Sequence, residues 1–138
     1  MSRKRTTKQQ LGLWRLNGNE GGRGCRSCGY DNVIGVASTT NDDVRSIFSN
    51  YGSSLVWLAA PGEGVITTYP FGTYAAAWGT SFSAPFVSGT VGLLLQMRSN
   101  LTQSDAASAV AHAKILSSDL GHGRLDIVGA IQAVIGMQ

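Results

Sequence analysis

The 138-residue sequence lacks several features that would assign it at once to a functional class. Charged residues make up only 14% of it, against about 25% in typical domains. No apolar run reaches the roughly 18 residues that a membrane-spanning helix needs. Its two cysteines form a single pair, whereas a structural zinc site takes about four ligands. These absences argue against a transmembrane segment and a zinc centre, while 43% apolar residues allow one packed domain.

Positive charge is concentrated at the N-terminus. Residues 1–28 hold seven basic side chains and one acidic, and the remaining 110 residues hold four basic and seven acidic. A basic arm can bind nucleic acid, but no aromatic residue interleaves with residues 3–8, as a base-stacking surface would require. No apolar core of about 7–15 residues follows the arm, as it would in a secretory signal. We predict a solvated, disordered segment, with neither nucleic acid nor membrane as partner.

The cysteine pair lies in the glycine-rich stretch 21-GGRGCRSCGY-30. A redox C-x-x-C motif normally opens a helix after a strand, and this stretch is typical of a loop. A disulfide between Cys25 and Cys28 and two free thiols are both left open.

Apolar patterning predicts strands first and helices afterwards. Residues 33–38 and 55–60 are short continuous apolar runs, as in buried strands. Residues 65–78 predict two strands joined in a hairpin around Pro70 and Gly72. The spacing places these strands before every long helix of the chain.

Three helices follow. The first is predicted to begin near Ser81, with Pro85 in its first turn and small or apolar residues all round, which indicates a buried helix. Its apolar positions are Val87, Val91, Leu94 and Leu95. Thr102 and Asp105 predict a capping box for the second, with the stripe Ala106, Ala109, Val110 and Ala113, and His112 toward solvent. Residues 121–135 predict a glycine turn, a short strand and a final helix.

Ser81 lies in 79-GTSFSAPFVSGTVGLLLQ-96 and has two interpretations. A serine beside a helix N-terminus is most often a plain N-cap. As a nucleophile it would need a base to take its proton and donors for the developing oxyanion. A free backbone N–H and the positive end of the helix dipole would supply part of the second requirement.

Several motifs, in the same order, resemble those of the subtilisin-like serine peptidases, the subtilases. The string 79-GTSFSAP-85 resembles the nucleophile motif, and 48-FSNYG-52 and 60-APGEGVITT-68 resemble the segments upstream of it. The stretch 17-NGNEGG-22 resembles the loop that carries the oxyanion asparagine. The tail, 101-LTQSDAASAVAHAKIL-116 and 121-GHGRLDIVGAI-131, resembles the closing helices and strand.

The resemblance implies an α/β fold: the C-terminal part of a three-layer subtilisin-like domain with a mainly parallel sheet, incomplete in this chain. It implies Ser81 as nucleophile and Asn19 as side-chain oxyanion donor, with a peptide or protein as substrate. Asn17, Gly18 and Thr80 would line the substrate site, although Asn17 replaces the small residue usual there. The family is often secreted, but this chain shows no signal peptide. Calcium is frequent in the family, but no acidic cluster marks a site, so no cofactor is predicted.

The chain lacks the aspartate and H-G-T motifs that precede the serine in this family. We therefore expect a serine endopeptidase portion that is inactive alone, with the missing N-terminal half of the domain as a partner. A non-catalytic remnant that binds peptides or a partner chain is the alternative. Residues 1–16 are interpreted as non-native sequence and 17–138 as the peptidase portion.

The remaining alternative supplies the base from within the chain. The order Ser81, then Asp105 or Asp119, then His122 is that of an α/β-hydrolase triad. Those enzymes use G-x-S-x-G, whereas Ser83 occupies the last position here.

Overall fold

A computed structural model describes residues 33–52 and 54–137. The predictions for Asn17, Gly18, Asn19, Cys25 and Cys28, and for the basic arm, lie outside these residues. The elements are β1 (Val36–Thr39), β2 (Leu58–Pro61), β3 (Val65–Tyr69), β4 (Thr73–Ala77), α1 (Thr80–Met97), α2 (Gln103–Val110) and α3 (Ile127–Gly136). The order of strands followed by helices confirms the predicted α/β class.

The two apolar runs form a parallel pair, with Val36 opposite Leu58 and Thr39 opposite Pro61. Both strands begin about three residues later than predicted. Leu55 and Val56 are drawn into a turn instead, because both N–H groups donate to the carbonyl of Gly52 at 2.9 Å. The pair is therefore short, and it ends where the 61-PGEG-64 turn begins.

The strand predicted after Gly121 is only one bridge long. Ala59 donates to the carbonyl of Gly123 at 2.8 Å, and Leu125 donates back to Ala59 at 2.7 Å. Gly121 and Gly123 have φ angles of 62° and 108°, which are incompatible with a continuous extended strand. The chain thus touches the edge of β2 beside Arg124 and then enters α3.

The parallel pair is buried on both faces, which explains its uninterrupted apolar sequence. On one face Val36 and Leu58 belong to the main core with Val87 and Leu94 of α1. On the other face Ala37 and Ala59 pack with Val56 and Leu120. The sheet is thus a middle layer, with helices on one side and the segment around Leu120 on the other.

The second helix has the predicted start. Asp105 N–H donates to Thr102 Oγ1 at 3.2 Å, and Thr102 N–H donates to Asp105 Oδ2 at 3.0 Å, which completes the capping box. Ala106, Ala109 and Val110 are buried as predicted. Ala113 lies beyond the last helical residue, so its assignment to the helical stripe was wrong. His112 is exposed, as predicted.

The first helix is not buried all round, contrary to the prediction. Val87, Val91 and Leu94 are buried, whereas Phe86, Leu93 and Met97 are 41%, 51% and 51% exposed. These three exposed residues form one stripe at helical spacing, which we call the α1 outer stripe. The buried side of α1 packs in one core with residues of the sheet, α2 and α3. No helix among the described residues is long and apolar enough to cross a bilayer.

Candidate active site

Ser81 is exposed at the start of α1, directly after the hairpin. The strand β4 passes through Trp78 into Gly79, whose φ of 148° and ψ of 153° turn the chain into the helix. Gly79 is the N-cap residue and offers no side chain, so Ser81 is the second helical residue. The interpretation of Ser81 as a plain N-cap is therefore wrong, and its hydroxyl has no capping role.

The first N–H groups of a helix have no intrahelical acceptor, and the helix dipole is positive there. Within the described residues, Phe82 N–H donates to Gly79 at 3.0 Å, while Ser81 N–H has no acceptor. Pro85 lies in the second helical turn rather than the predicted first turn. Because proline has no N–H, the Ser81 carbonyl lacks its usual helical donor. The turn thus presents a hydroxyl and a free N–H at a positive helix end.

Gly62 fixes this turn to the carboxyl ends of the parallel strands. Its N–H donates to Thr39 at 3.0 Å, and its carbonyl accepts from Gly79 N–H at 2.8 Å. A Cβ at Gly62 would clash with Ser83 Oγ and lie 2.8 Å from the Gly79 carbonyl. Ligands of α/β proteins bind beyond the carboxyl ends of the strands, which is where the Ser81 turn lies.

Buried hydroxyl groups support the turn from inside. Ser38 and Ser46 share a hydrogen bond of 2.7 Å between their Oγ atoms, and Ser38 N–H donates to Ser49 Oγ at 2.8 Å. Ser83 is also fully buried, yet its Oγ has no partner among the described residues. We call Ser38, Ser46, Ser49 and Ser83 the serine cluster. Sequence reasoning missed both it and Gly62, although Gly62 lies in the 60-APGEG-64 motif.

The structure does not bring the proposed internal base to Ser81. His122 lies at the amino end of β2, where its N–H donates to Trp57 at 2.8 Å and the two rings are 4.6 Å apart. The five residue-to-residue steps from Trp57 to Gly62 span about 16 Å. His122 is thus far outside hydrogen-bond reach of the Ser81 turn.

The two candidate aspartates have other roles. Asp105 caps α2, and hydrogen bonds from Thr102 lower the pKa of its carboxyl. Asp119 forms an ion pair with Arg45 at 3.5 Å. The α/β-hydrolase arrangement is therefore wrong for this chain.

Of the predicted site residues, only Ser81 and Thr80 are described. Thr80 is 4% exposed, so its side chain contributes to packing more than to an open surface. The placement of Asn17, Gly18 and Asn19 around Ser81 stays a prediction. The described residues contain no group of three or more His, Cys, Asp or Glu side chains placed to hold a metal ion.

The subtilase family model matches residues 16–129. The chain belongs to the subtilase family. Thermitase from Thermoactinomyces vulgaris is 40% identical over 105 residues, which are 75% of this chain and 37% of thermitase. Subtilisin DY from Bacillus licheniformis is 31% identical over 123 residues, covering 83% of this chain and 44% of that protein. The chain thus spans less than half the length of these curated relatives.

Solved subtilase structures share the fold. The prenylagaramide maturation protease PagA matches with a TM-score of 0.71 and 25% identity, over 80% of this chain and 46% of its own. A protease from Pseudoalteromonas arctica matches with a TM-score of 0.73 and 28% identity, over 79% of this chain and 38% of its own. The exposed Ser81 of this subtilase lies beyond the carboxyl ends of β1 and β2.

Proposed function

We propose that the chain is the C-terminal portion of a subtilisin-like serine endopeptidase domain. Ser81 is the nucleophile, and the oxyanion is held by the Ser81 N–H together with the Asn19 side chain. Asn17 and Gly18 contribute to the substrate site through their predicted loop, and Thr80 contributes through its backbone beside Ser81, because its side chain is 4% exposed. The observation that carries this proposal is the exposed Ser81 at the start of α1, held by Gly62 beyond the carboxyl ends of β1 and β2.

The chemistry assigned to Ser81 is acyl transfer. Its Oγ attacks the carbonyl carbon of the peptide bond while its proton passes to a base. The C–N bond then breaks, and the same proton goes to the departing amine. Water attacks the resulting ester in the second half of the cycle, which releases the acid and restores the Ser81 hydroxyl.

The base is not supplied by the described residues. Their histidines, His112 and His122, are both exposed, and the rings of His122 and Trp57 are paired at the other end of β2. We expect the aspartate and histidine to come from a segment equivalent to the N-terminal half of a subtilase domain. Alone, the chain should show no triad catalysis, because losing the base removes most of the rate.

A reconstitution experiment tests this. The N-terminal portion of thermitase that carries its aspartate and H-G-T motifs would be mixed with this chain, and hydrolysis of a chromogenic peptide would be followed. A fluorophosphonate probe would report covalent labelling of Ser81. We expect labelling and hydrolysis in the mixture and neither in the separate parts or with Ser81→Ala. A mixture that forms a complex but never labels Ser81 would refute the catalytic assignment.

The α1 outer stripe favours a second candidate, a non-catalytic portion that binds a partner chain. Phe86, Leu93 and Met97 form an exposed apolar stripe on α1. Contiguous exposed apolar surface marks sites where proteins bind one another. Complex formation without labelling, abolished by Leu93→Glu, would support this alternative. Sedimentation of the chain with and without the thermitase portion provides that measurement.

A further inference from the structure

The β3–β4 hairpin has two faces of different exposure. On its inner face Val65, Thr67, Ala75 and Ala77 are half-buried, whereas Tyr69 and Thr73 beside the turn are exposed. On the opposite face Ile66, Tyr74 and Trp78 are 69%, 73% and 60% exposed. We call these three residues the hairpin outer face. Exposure thus alternates along the part of the hairpin next to α1, where one side is partly covered and the other is presented to solvent.

The register of the hairpin makes the outer face continuous. Ile66 is opposite Ala76, and Tyr74 is opposite Thr68, so the three large side chains surround a small alanine. Trp78 follows two residues after Ala76 and points to the same side, because side chains alternate along a strand. The result is a shallow surface in which two aromatic rings and one aliphatic side chain surround the small side chain of Ala76.

The hairpin carries no charge. Residues 65–79 contain no Asp, Glu, Lys or Arg. Exposed aromatic surface of this kind marks an interaction site, and Trp and Tyr are the residues that most often dominate binding energy. A charged side chain placed on this surface would lose hydration without gaining a counter-charge. The surface therefore favours an uncharged, apolar occupant.

The outer face is continuous with the nucleophile. Trp78 is three residues from Ser81, so their Cα atoms are separated by at most about 11 Å. An extended peptide advances about 3.3 Å per residue. A peptide with its scissile carbonyl at Ser81 therefore brings side chains two to four residues away alongside Trp78. This proximity favours a substrate peptide over a second copy of the chain.

We propose that Ile66, Tyr74 and Trp78 form a substrate subsite for an aromatic or large aliphatic side chain, two to four residues from the bond attacked by Ser81. The inference rests on the proposed peptidase function and adds the chemistry of the preferred substrate. Aromatic pairing with Trp78 and Tyr74 supplies the affinity, and the uncharged hairpin supplies the discrimination against acidic and basic side chains.

The test uses the full chain with Ser81→Ala, labelled with ¹⁵N in its tryptophan indoles. The probes are capped octa-alanine peptides with one Phe scanned through the positions, and the same set with Glu. We expect Phe peptides to shift the Trp78 indole signal and to bind more tightly than Glu peptides. Trp57 is the internal reference, because its Nε1 donates to the Ala107 carbonyl at 3.2 Å.

Variants assign the effect to the hairpin. Trp78→Ala and Tyr74→Ala should each weaken binding of the best Phe peptide by about 2–10-fold, the range expected for one aromatic pair. Tyr51→Ala, a matched aromatic control that is 58% exposed outside the hairpin, should bind as before. For Trp78→Ala, where the reporter is lost, titration by peptide fluorescence replaces the indole signal.

Three results would overturn the subsite: equal binding of Phe and Glu peptides, unchanged binding in both hairpin variants, or a Trp78 signal that moves with protein concentration alone. The last result would identify a second copy as the occupant. The binding assay needs no nucleophile, so it is independent of the peptidase proposal. Phe binding without hydrolysis in the reconstituted pair would refute the peptidase alone, and hydrolysis without Phe preference would refute the subsite alone.

Discussion

The backbone N–H of Gly79 donates to the carbonyl oxygen of Gly62 at 2.8 Å. This bond joins the turn before Ser81 to the turn after β2, two segments that are 17 residues apart in the sequence. Gly62 also donates to Thr39 at the end of β1, so one glycine connects both parallel strands to the nucleophile turn. The position of Ser81 relative to the sheet therefore depends on how closely the backbone can approach at Gly62.

Gly62→Ala should lower the free energy of unfolding by about 1–3 kcal/mol, the usual cost of overpacking. The new Cβ would lie 2.8 Å from the Gly79 carbonyl, a backbone atom that cannot rotate away. Urea denaturation followed by circular dichroism measures the loss. In the reconstituted enzyme, we also expect slower labelling of Ser81.

Gly89→Ala is the matched control for that substitution. Gly89 lies on the exposed side of α1, and a Cβ there would meet nothing within 4 Å. Alanine should raise the free energy of unfolding by about 1 kcal/mol, because it favours the helix over glycine. If both alanine variants changed stability equally, close approach at Gly62 would not be the cause.

Ser83→Ala should raise the free energy of unfolding by about 1 kcal/mol. Its buried hydroxyl has no partner within the described residues, so its removal relieves a desolvation cost. Thermal and urea denaturation both measure the change. A loss of stability instead would mean that Ser83 has a hydrogen-bond partner in solution.

Ser46→Ala is the counterpart within the serine cluster. It removes the 2.7 Å bond to Ser38 and leaves a buried hydroxyl unsatisfied. The expected loss is about 1–3 kcal/mol. The opposite signs at Ser83 and Ser46 distinguish hydrogen bonding from a general effect of removing a hydroxyl.

Asp43→Asn should reduce the loss of stability in acid. The hydrogen bond from Lys114 Nζ at 2.7 Å, together with the nearby Arg124, lowers the pKa of the Asp43 carboxyl. A lowered pKa gives stability that is present above the unfolded value of about 3.9 and lost as the pH falls through the folded value. Between pH 6 and pH 2, the free energy of unfolding should therefore fall less steeply in the variant than in the unmodified chain.

Asparagine keeps the backbone in this test, because it tolerates the φ of 63° found at Asp43. Asp42→Asn is the control, since Asp42 forms no ion pair among the described residues. Between pH 6 and pH 2, the free energy of unfolding of Asp42→Asn should fall as steeply as that of the unmodified chain. Parallel curves for all three proteins would contradict the assignment of acid sensitivity to Asp43.

His122→Ala should leave hydrolysis by the reconstituted enzyme unchanged within about twofold. The ring lies beside Trp57, about 16 Å of strand away from the Gly62 turn, and cannot take a proton from Ser81. The kcat and KM for a chromogenic peptide measure this. A large loss of kcat with unchanged folding would instead show that His122 acts as the base for Ser81.

The hairpin, the capping box and the start of α1 could all be predicted from sequence, because each depends on residues within a few positions of one another. Pro70 and Gly72 mark the hairpin turn, and Thr102 with Asp105 marks the start of α2. The strand ends were less predictable, because Leu55 and Val56 are apolar in either a strand or a turn. Hydrogen bonds to Gly52 decided between these two states.

The family and the candidate nucleophile were also available from the sequence, since 79-GTSFSAP-85 is a local motif. The surroundings of Ser81 could not be predicted from the sequence. Gly62 and the serine cluster reach the turn only through long-range packing, and His122 is far from Ser81 only because β2 separates them. The same reason applies to the α1 outer stripe. The sequence by itself determined that α1 is apolar or small on every side, but which side is covered was decided by the elements that pack against it.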